Sequence, residues 1–337
     1  MGYYESLQEV AKEIKIHSGK ILITGASGLI GSTMIETLLS ANEKYEGNNT
    51  IFALGRNRDV LEKRFGNRVE YLIQNIIDPI SSQYDFDYIF HFASNADPVK
   101  YAIEPVETIL TNIIGTKNVL EYCRSNKKCR VIFSSSFEVY GRIENVEKYS
   151  EEQIGILDFS ILRNGYSESK RLSEMLLRSY CDEYDVDGII ARLSSVYGPN
   201  MTSTDSKAHA QFIRNGVSGE DIVLKSKGEQ KRSYTYVLDA VSALLFLAIK
   251  GTRGEAYNIA NSKSVSSIAE LASLVARIAG TKVVHSIPDS IEQKGFSKPQ
   301  DCILNIEKIE KLGWQGRVAL DDGVSETIDS LKCMMKE

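Results

Sequence analysis

The stretch "LITGASGLIGSTMIETLL", residues 22–39, decides the fold. A strand, "KILITG" (20–25), gives way to a helix, "GSTMIETLLSANEKY" (31–45), across Gly25, Gly28 and Gly31. A helix that begins at such a turn offers unpaired N–H groups and partial positive charge to a diphosphate. Glycine removes the side chains that would keep phosphates and the strand at a distance. The spacing is GxxGxxG, not the commoner GxGxxG. Taken alone, three glycines also read as a tight turn, so the flanking segments must decide.

Those segments alternate. "TIFALGRN" (50–57), "RVEYLIQNI" (68–76), "FDYIFHFAS" (86–94), "CRVIFSSS" (129–136) and "VDGIIARLSSVYG" (186–198) read as strands, while 104–126 and 167–184 read as helices. Strands separated by helices predict an α/β fold, a doubly wound parallel sheet of the Rossmann type with right-handed crossovers. In that context the glycine turn points to a dinucleotide. After "YGPN" the pattern loosens, with helices at 236–251 and 267–280, one strand at 255–260, and sparse strand signal elsewhere. The expected division is a dinucleotide-binding domain of residues 1–195 plus about 232–262, and a smaller, mainly C-terminal lobe of about 196–231 and 263–337.

Composition narrows the class. The 337 residues are 42% hydrophobic and 25% charged with a net charge of -5, which gives no support for a nucleic-acid partner. Cys123, Cys129, Cys181, Cys302 and Cys333 are scattered, as are His17, His91, His209 and His285. That pattern fits reduced thiols in the cytoplasm and argues against a disulfide frame or a metal centre. The N-terminal "MGYYESLQEVAKEIKIHSGK" lacks the apolar segment of a signal peptide, and no apolar run reaches the ~18 residues of a membrane span. A soluble, cytoplasmic protein is expected.

Two further segments carry chemistry. The second strand ends in Gly55, Arg56, Asn57 and Arg58, with no acid to read a ribose. Arg56 can hold a 2′-phosphate or stack on adenine, which leans towards NADP; a solvated basic turn is the plainer alternative. In "YSESK", Tyr166 and Lys170 share one helix face, and Ser136 ends the fifth strand at the crevice side of the sheet. A neighbouring ammonium is expected to ease ionisation of the phenol, which can then take a proton from a sugar hydroxyl as hydride leaves for a nicotinamide. Each residue alone reads as surface or capping; the three together, after a glycine turn, read as a proton-moving set.

"TGASGLIG", "HFASNADP", "TNIIGTKNVL", "SSSFEVYG", "YSESK", "RLSSVYGP", "KRSYTYVLDAV" and "LGW" occur in this order along nearly the whole chain. In this the sequence resembles the extended short-chain dehydrogenases of the nucleotide-sugar epimerase/dehydratase group. The resemblance implies a nucleotide-diphosphate sugar as substrate and NAD as cofactor. It implies that Gly25, Gly28, Leu29, Ile30 and Gly31 hold the pyrophosphate, Arg56 the adenosine end, Asn75 and Ile76 the adenine, and Ala93 and Ser94 the inner half. Ser136, Glu138, Tyr166 and Lys170 would form the catalytic set, Lys170 also reaching the nicotinamide ribose. Ser195, Lys207 and Arg232 would face the substrate, Arg232 as a fork for an anion.

The resemblance also ranks reactions. A 4,6-dehydratase uses an acid where this chain has Phe137, which cannot donate a proton. "ASNADPVKYAIEP", Glu138, Lys170-Arg171 and Lys231-Arg232 are most similar to UDP-glucuronate decarboxylases, although Phe137, Ser195 and Asn200 replace the hydroxyl residue, asparagine and arginine usual there. Decarboxylation through a 4-keto sugar therefore stands first, 4-epimerisation second, and NADPH-dependent reduction of a 4-keto sugar third. A cofactor-binding regulatory protein is the non-enzymatic alternative, and the intact trio argues against it. Apolar positions Ile109, Ile113 and Leu120 on one helix and Leu172, Met175 and Leu176 on another can form a four-helix homodimer seam or pack on the sheet.

Overall fold

A computed structural model describes residues 2–296 and 300–335; the outer bounds expected for the two units, residues 1 and 337, lie outside them. Helix α1 (Tyr3–Lys12) leads to β1 (Ser18–Thr24), α2 (Leu29–Lys44), β2 (Asn48–Gly55), α3 (Arg58–Phe65) and β3 (Glu70–Ile73). Then come β4 (Tyr88–His91), α4 (Pro98–Ile103), α5 (Pro105–Ser125), β5 (Arg130–Ser136), a 3-10 turn (Phe137–Tyr140), α6 (Asn164–Tyr184) and β6 (Asp187–Leu193). The rest comprises β7 (Ser195–Tyr197), α7 (Ala208–Ser218), β8 (Ile222–Leu224), β9 (Lys231–Tyr236), α8 (Val237–Lys250) and β10 (Ala256–Ile259). It closes with β11 (Val265–Ser267), α9 (Ile268–Ala279), β12 (Val283–His285), α10 (Ser290–Gly295), α11 (Glu307–Leu312) and α12 (Leu320–Met334).

Seven parallel strands form the central sheet in the order β10-β6-β5-β4-β1-β2-β3. The doubly wound α/β expectation is met. Strand β1 is apolar on both sides because helices cover both faces. Ile21 and Ile23 join Met34, Ile35 and Leu244, from α2 and α8, in one core. Leu22 joins Val119, Leu120 and Leu177, from α5 and α6, in the other. The chain reverses its direction of growth between β1 and β4, so a crevice opens at their carboxyl ends.

The second half departs from the sequence reading in two ways. "VDGIIARLSSVYG" is two strands: at Ser194 the chain leaves the main sheet, its hydroxyl hydrogen-bonded to that of Thr235 at 2.5 Å, and β7 pairs with β9. Strand content is also richer than expected, with a β11-β9-β7 sheet and a β12-β8 pair. The polar "KRSYTY" forms β9 because Ser233, Tyr234, Thr235 and Tyr236 are all buried. Helix α8 and strand β10 rejoin the large sheet. Of the expected seam positions, Leu120 is fully buried under the sheet, whereas Leu172 and Met175 on α6 are exposed, as are Val106 and Leu110 on α5.

No described helix is long and apolar enough to cross a membrane, and the described residues contain no group of three metal-ligating side chains.

Candidate active site

The glycine turn is held against β4 from below. The Thr24 hydroxyl accepts hydrogen bonds from the backbone N–H groups of Phe92 and Ala93, both at 3.0 Å. Gly25 takes φ 68°, and a Cβ there would lie 2.8 Å from the Ala93 nitrogen. A Cβ on Gly31 would lie 2.4 Å from the Gly25 carbonyl oxygen. Gly28 caps α2 without a side chain, so the first-turn N–H groups of Leu29, Ile30 and Gly31 face open space. This is a cradle that any side chain would fill, and it fits a dinucleotide diphosphate. Ala93 backs the turn and does not line the opening.

From this turn a cavity of about 600 Å³ runs to the second sheet. Its walls bring together Ser94, Ser136, Glu138, Tyr166 and Lys170 on the large-sheet side and Ser195, Lys207 and Arg232 opposite them. Three expected contacts lie apart from these walls. Arg56 is exposed just beyond β2. Past β3, Ile76 is buried against α5, where its backbone carbonyl accepts from the Asn118 side chain at 3.0 Å, and the Asn75 side-chain Oδ1 accepts from the Ile77 N–H at 3.4 Å.

The residues expected to move protons, Ser136, Tyr166 and Lys170, line one cavity, but their electrostatics differ from the sequence expectation. The Tyr166 hydroxyl neighbours Ser136 and Tyr101, and the Tyr101 ring stacks on Tyr166 with centroids 4.2 Å apart and planes at 9°. Lys170 donates to the Ser134 carbonyl at 2.7 Å, with its nitrogen 6.0 Å from the Tyr166 ring centre. Burial, and then the Glu138 carboxylate, push the Tyr166 pKa well up; the ammonium was expected to lower it. The lysine is itself disfavoured as a cation. Burial draws it down to about 7, against a smaller opposing pull from Glu174.

A stability prediction follows from Lys170. Its folded pKa lies below its unfolded value of 10.5, so between about 7 and 10.5 the unfolded chain binds more protons and stability rises with pH. Below pH 7 the full penalty of burying the ammonium applies. Lys170→Met is therefore expected to raise unfolding free energy at pH 6 by about 1–3 kcal/mol and to flatten that pH slope while abolishing turnover. Urea denaturation at several pH values tests it; a destabilised Lys170→Met at pH 6 contradicts it.

Sequence reasoning missed Tyr101 and Arg163. Arg163, buried at the head of α6, holds Glu138 by both carboxylate oxygens at 3.1 and 3.2 Å, and the Ser167 hydroxyl adds a third bond at 3.2 Å. The position of Arg163 three residues before Tyr166 was the available signal. Tyr101 lies in a short α4 with no periodic pattern to mark it. Asn112 joins the helices, accepting from Ser94 at 2.7 Å and donating to Ser169 at 2.8 Å. Across the cavity, Lys207 pairs with Asp205 at 3.1 Å, and the Arg232 guanidinium lies 5.3 Å from the Phe137 ring centre. Asp97 at the head of α4 accepts from the Ser206 N–H at 2.9 Å and its hydroxyl at 2.8 Å, clasping the second sheet's loop to the first.

Two motif residues turn elsewhere. Arg171 donates to the carbonyls of Val139, Tyr140 and Gly155, and so fastens the loop after the 3-10 turn. Asn200 is buried against α1 and α2, donating to Tyr3 and Thr33, both at 2.9 Å.

The sequence profile of the NAD dependent epimerase/dehydratase family matches residues 21–260. The chain belongs to this family. Among family members similar to it is UDP-glucuronic acid decarboxylase 6 of Arabidopsis thaliana, 32% identical over 311 residues, covering 90% of this chain and 86% of the relative. UDP-glucuronic acid decarboxylase 1 of Xenopus tropicalis is 30% identical, covering 92% of this chain and 71% of its own. Among solved structures, UDP-glucose 4-epimerase of Thermotoga maritima superimposes with a TM-score of 0.82 at 26% identity, covering 94% of this chain and 99% of that one.

Proposed function

We propose that this epimerase/dehydratase family member converts a nucleotide sugar through a 4-keto intermediate, with UDP-glucuronate as substrate and carbon dioxide as a product. The observation that carries it is the meeting of Ser136, Glu138, Tyr166 and Lys170 with Arg232 across one cavity that begins at the glycine cradle. Similarity to the two decarboxylases supports the choice of sugar.

A bound nicotinamide supplies a hydride acceptor and later donor at C4 and a positive charge that favours tyrosinate at residue 166. Tyr166 takes the C4 hydroxyl proton, and Ser136 holds that oxygen. The resulting 4-ketone is β to the C5 carboxylate, so the bond to that carboxylate breaks and carbon dioxide leaves. The electron pair delocalises onto the C4 oxygen as an enolate, and C5 takes a proton from water. After C4 is reduced again, Tyr166 returns its proton. Arg163 and Ser167 hold Glu138 on the cavity wall, where we assign it to orienting the proton donor for C5. Arg232 is assigned to an anionic group of the substrate, with Ser195 and Lys207 on the same side.

Incubation with UDP-glucuronate and with UDP-hexoses, following carbon dioxide and product mass, tests this reading. Gas release with a product lighter by one carbon dioxide supports it; an isobaric product selects 4-epimerisation. We assign the adenosine end to Arg56, Asn75 and Ile76, with Arg56 favouring NADP. Arg56→Ala is then expected to weaken NADP binding about tenfold or more and to leave NAD nearly unchanged. Equal titration curves for both cofactors would discard that assignment. Residues 1–195 with about 232–262 are assigned to the cofactor, and about 196–231 and 263–337 to the nucleotide sugar. The exposed Val106, Leu110, Leu172 and Met175 support pairing of two copies, and four buried free cysteines support a cytoplasmic setting.

A further inference from the structure

Beside the proton-moving trio lies a layered group. The Tyr166 ring stacks on Tyr101, the Arg163 guanidinium lies 5.6 Å from the Tyr101 ring centre, and Arg163 ends on Glu138. Only 6% of Arg163 is exposed. Its Nε is buried with no hydrogen-bond partner, an arrangement that costs stability and is seldom kept without a use.

The groups facing Tyr166 come from four elements: Tyr101 from α4, Ser136 at the end of β5, Glu138 from the 3-10 turn, and Arg163 and Lys170 at the head of α6. Glu138 is the negative member. A phenol that must become anionic next to a carboxylate faces like-charge repulsion in a buried site, where the effective dielectric is low. We propose that Arg163 is a positioning residue that clamps Glu138 and cancels its charge, so that the site can hold a carboxylate and a phenolate at once. The inference rests on the reading of Tyr166 as the proton acceptor. Consistent with it, the Glu138 charge raises the Tyr166 pKa and the Arg163 charge lowers it.

The geometry makes opposite demands on the two partners. Arg163→Met leaves Glu138 unbalanced and should move the acidic limb of hydride transfer up by about one pH unit or more, a tenfold loss of rate per unit below it. Glu138→Gln leaves Arg163 unbalanced and should move the same limb down. The double variant should return it towards wild type. Hydride transfer is followed in a single turnover by the near-ultraviolet absorbance of reduced nicotinamide, which separates this step from later chemistry that needs Glu138. In thermal melts, Arg163→Met should be less stable than the double variant, since it alone strands a buried charge.

If Arg163→Met fails to fold, Arg163→Lys and Glu138→Gln carry the test. Lysine should restore part of the limb but not the two-oxygen clamp. Profiles for Glu138→Gln and either Arg163 variant that coincide with wild type overturn the inference. A Tyr166→Phe variant that still transfers hydride overturns instead the reading beneath it.

Discussion

Tyr166→Phe is expected to lower turnover by about three orders of magnitude while the protein still folds and binds its cofactor. The substitution removes one oxygen. The ring keeps its burial and its stack on Tyr101 at 4.2 Å, and the Lys170 bond to the Ser134 carbonyl is untouched. What is lost is the atom proposed to take the hydroxyl proton. Because burial and Glu138 hold that phenol in its neutral form, wild-type turnover should also rise with pH through the acidic limb, and the variant's residual rate should not follow it. Steady-state rates over a pH series, with cofactor binding measured by fluorescence, decide the matter. Near wild-type turnover in the variant would remove Tyr166 from the mechanism.

The second large effect is on stability. Glu174 lies one helical turn beyond Lys170, and its carboxylate meets Arg192 at 2.7 Å with both side chains 7% exposed. Ser135 donates to the same carboxylate, and Arg192 donates to the Tyr140 hydroxyl at 3.1 Å and the Glu151 carbonyl at 2.8 Å. Arg192→Met strands the Glu174 charge away from water and should cost about 3–5 kcal/mol in urea unfolding. Adding Glu174→Leu removes that stranded charge, so the double variant should recover part of the loss. A single variant within about 1 kcal/mol of wild type, or a double variant less stable than both singles, would mean that the pair contributes little.

Much of this was legible in the chain. The apolar runs of β1, β4, β5 and β6 announce strands because helices cover both their faces, and the glycine turn announces the crevice. The convergence of Ser136, Tyr166 and Lys170 follows from where a strand ends and how a helix repeats. Strand β9 was hidden because its burial depends on partners distant in sequence, Ser264 and Cys302 among them. The break at Ser194 was hidden for a similar reason, since the hydroxyl that marks it finds Thr235. The direction of the Tyr166 shift was unreadable because it depends first on how completely the phenol is buried and then on how closely Glu138 approaches, and residue spacing reports neither.

The Asp97 clasp has a bearing on substrate traffic. One carboxylate gathers the amides of Val99 and Lys100 at the start of α4 together with the amide and hydroxyl of Ser206, so the element that carries Tyr101 is tethered to the loop that carries Lys207. Withdrawing that loop would pull on the helix whose Tyr101 ring stacks on Tyr166. Displacement of that loop and displacement of the Tyr101 ring stacked on Tyr166 are thus mechanically coupled through one carboxylate.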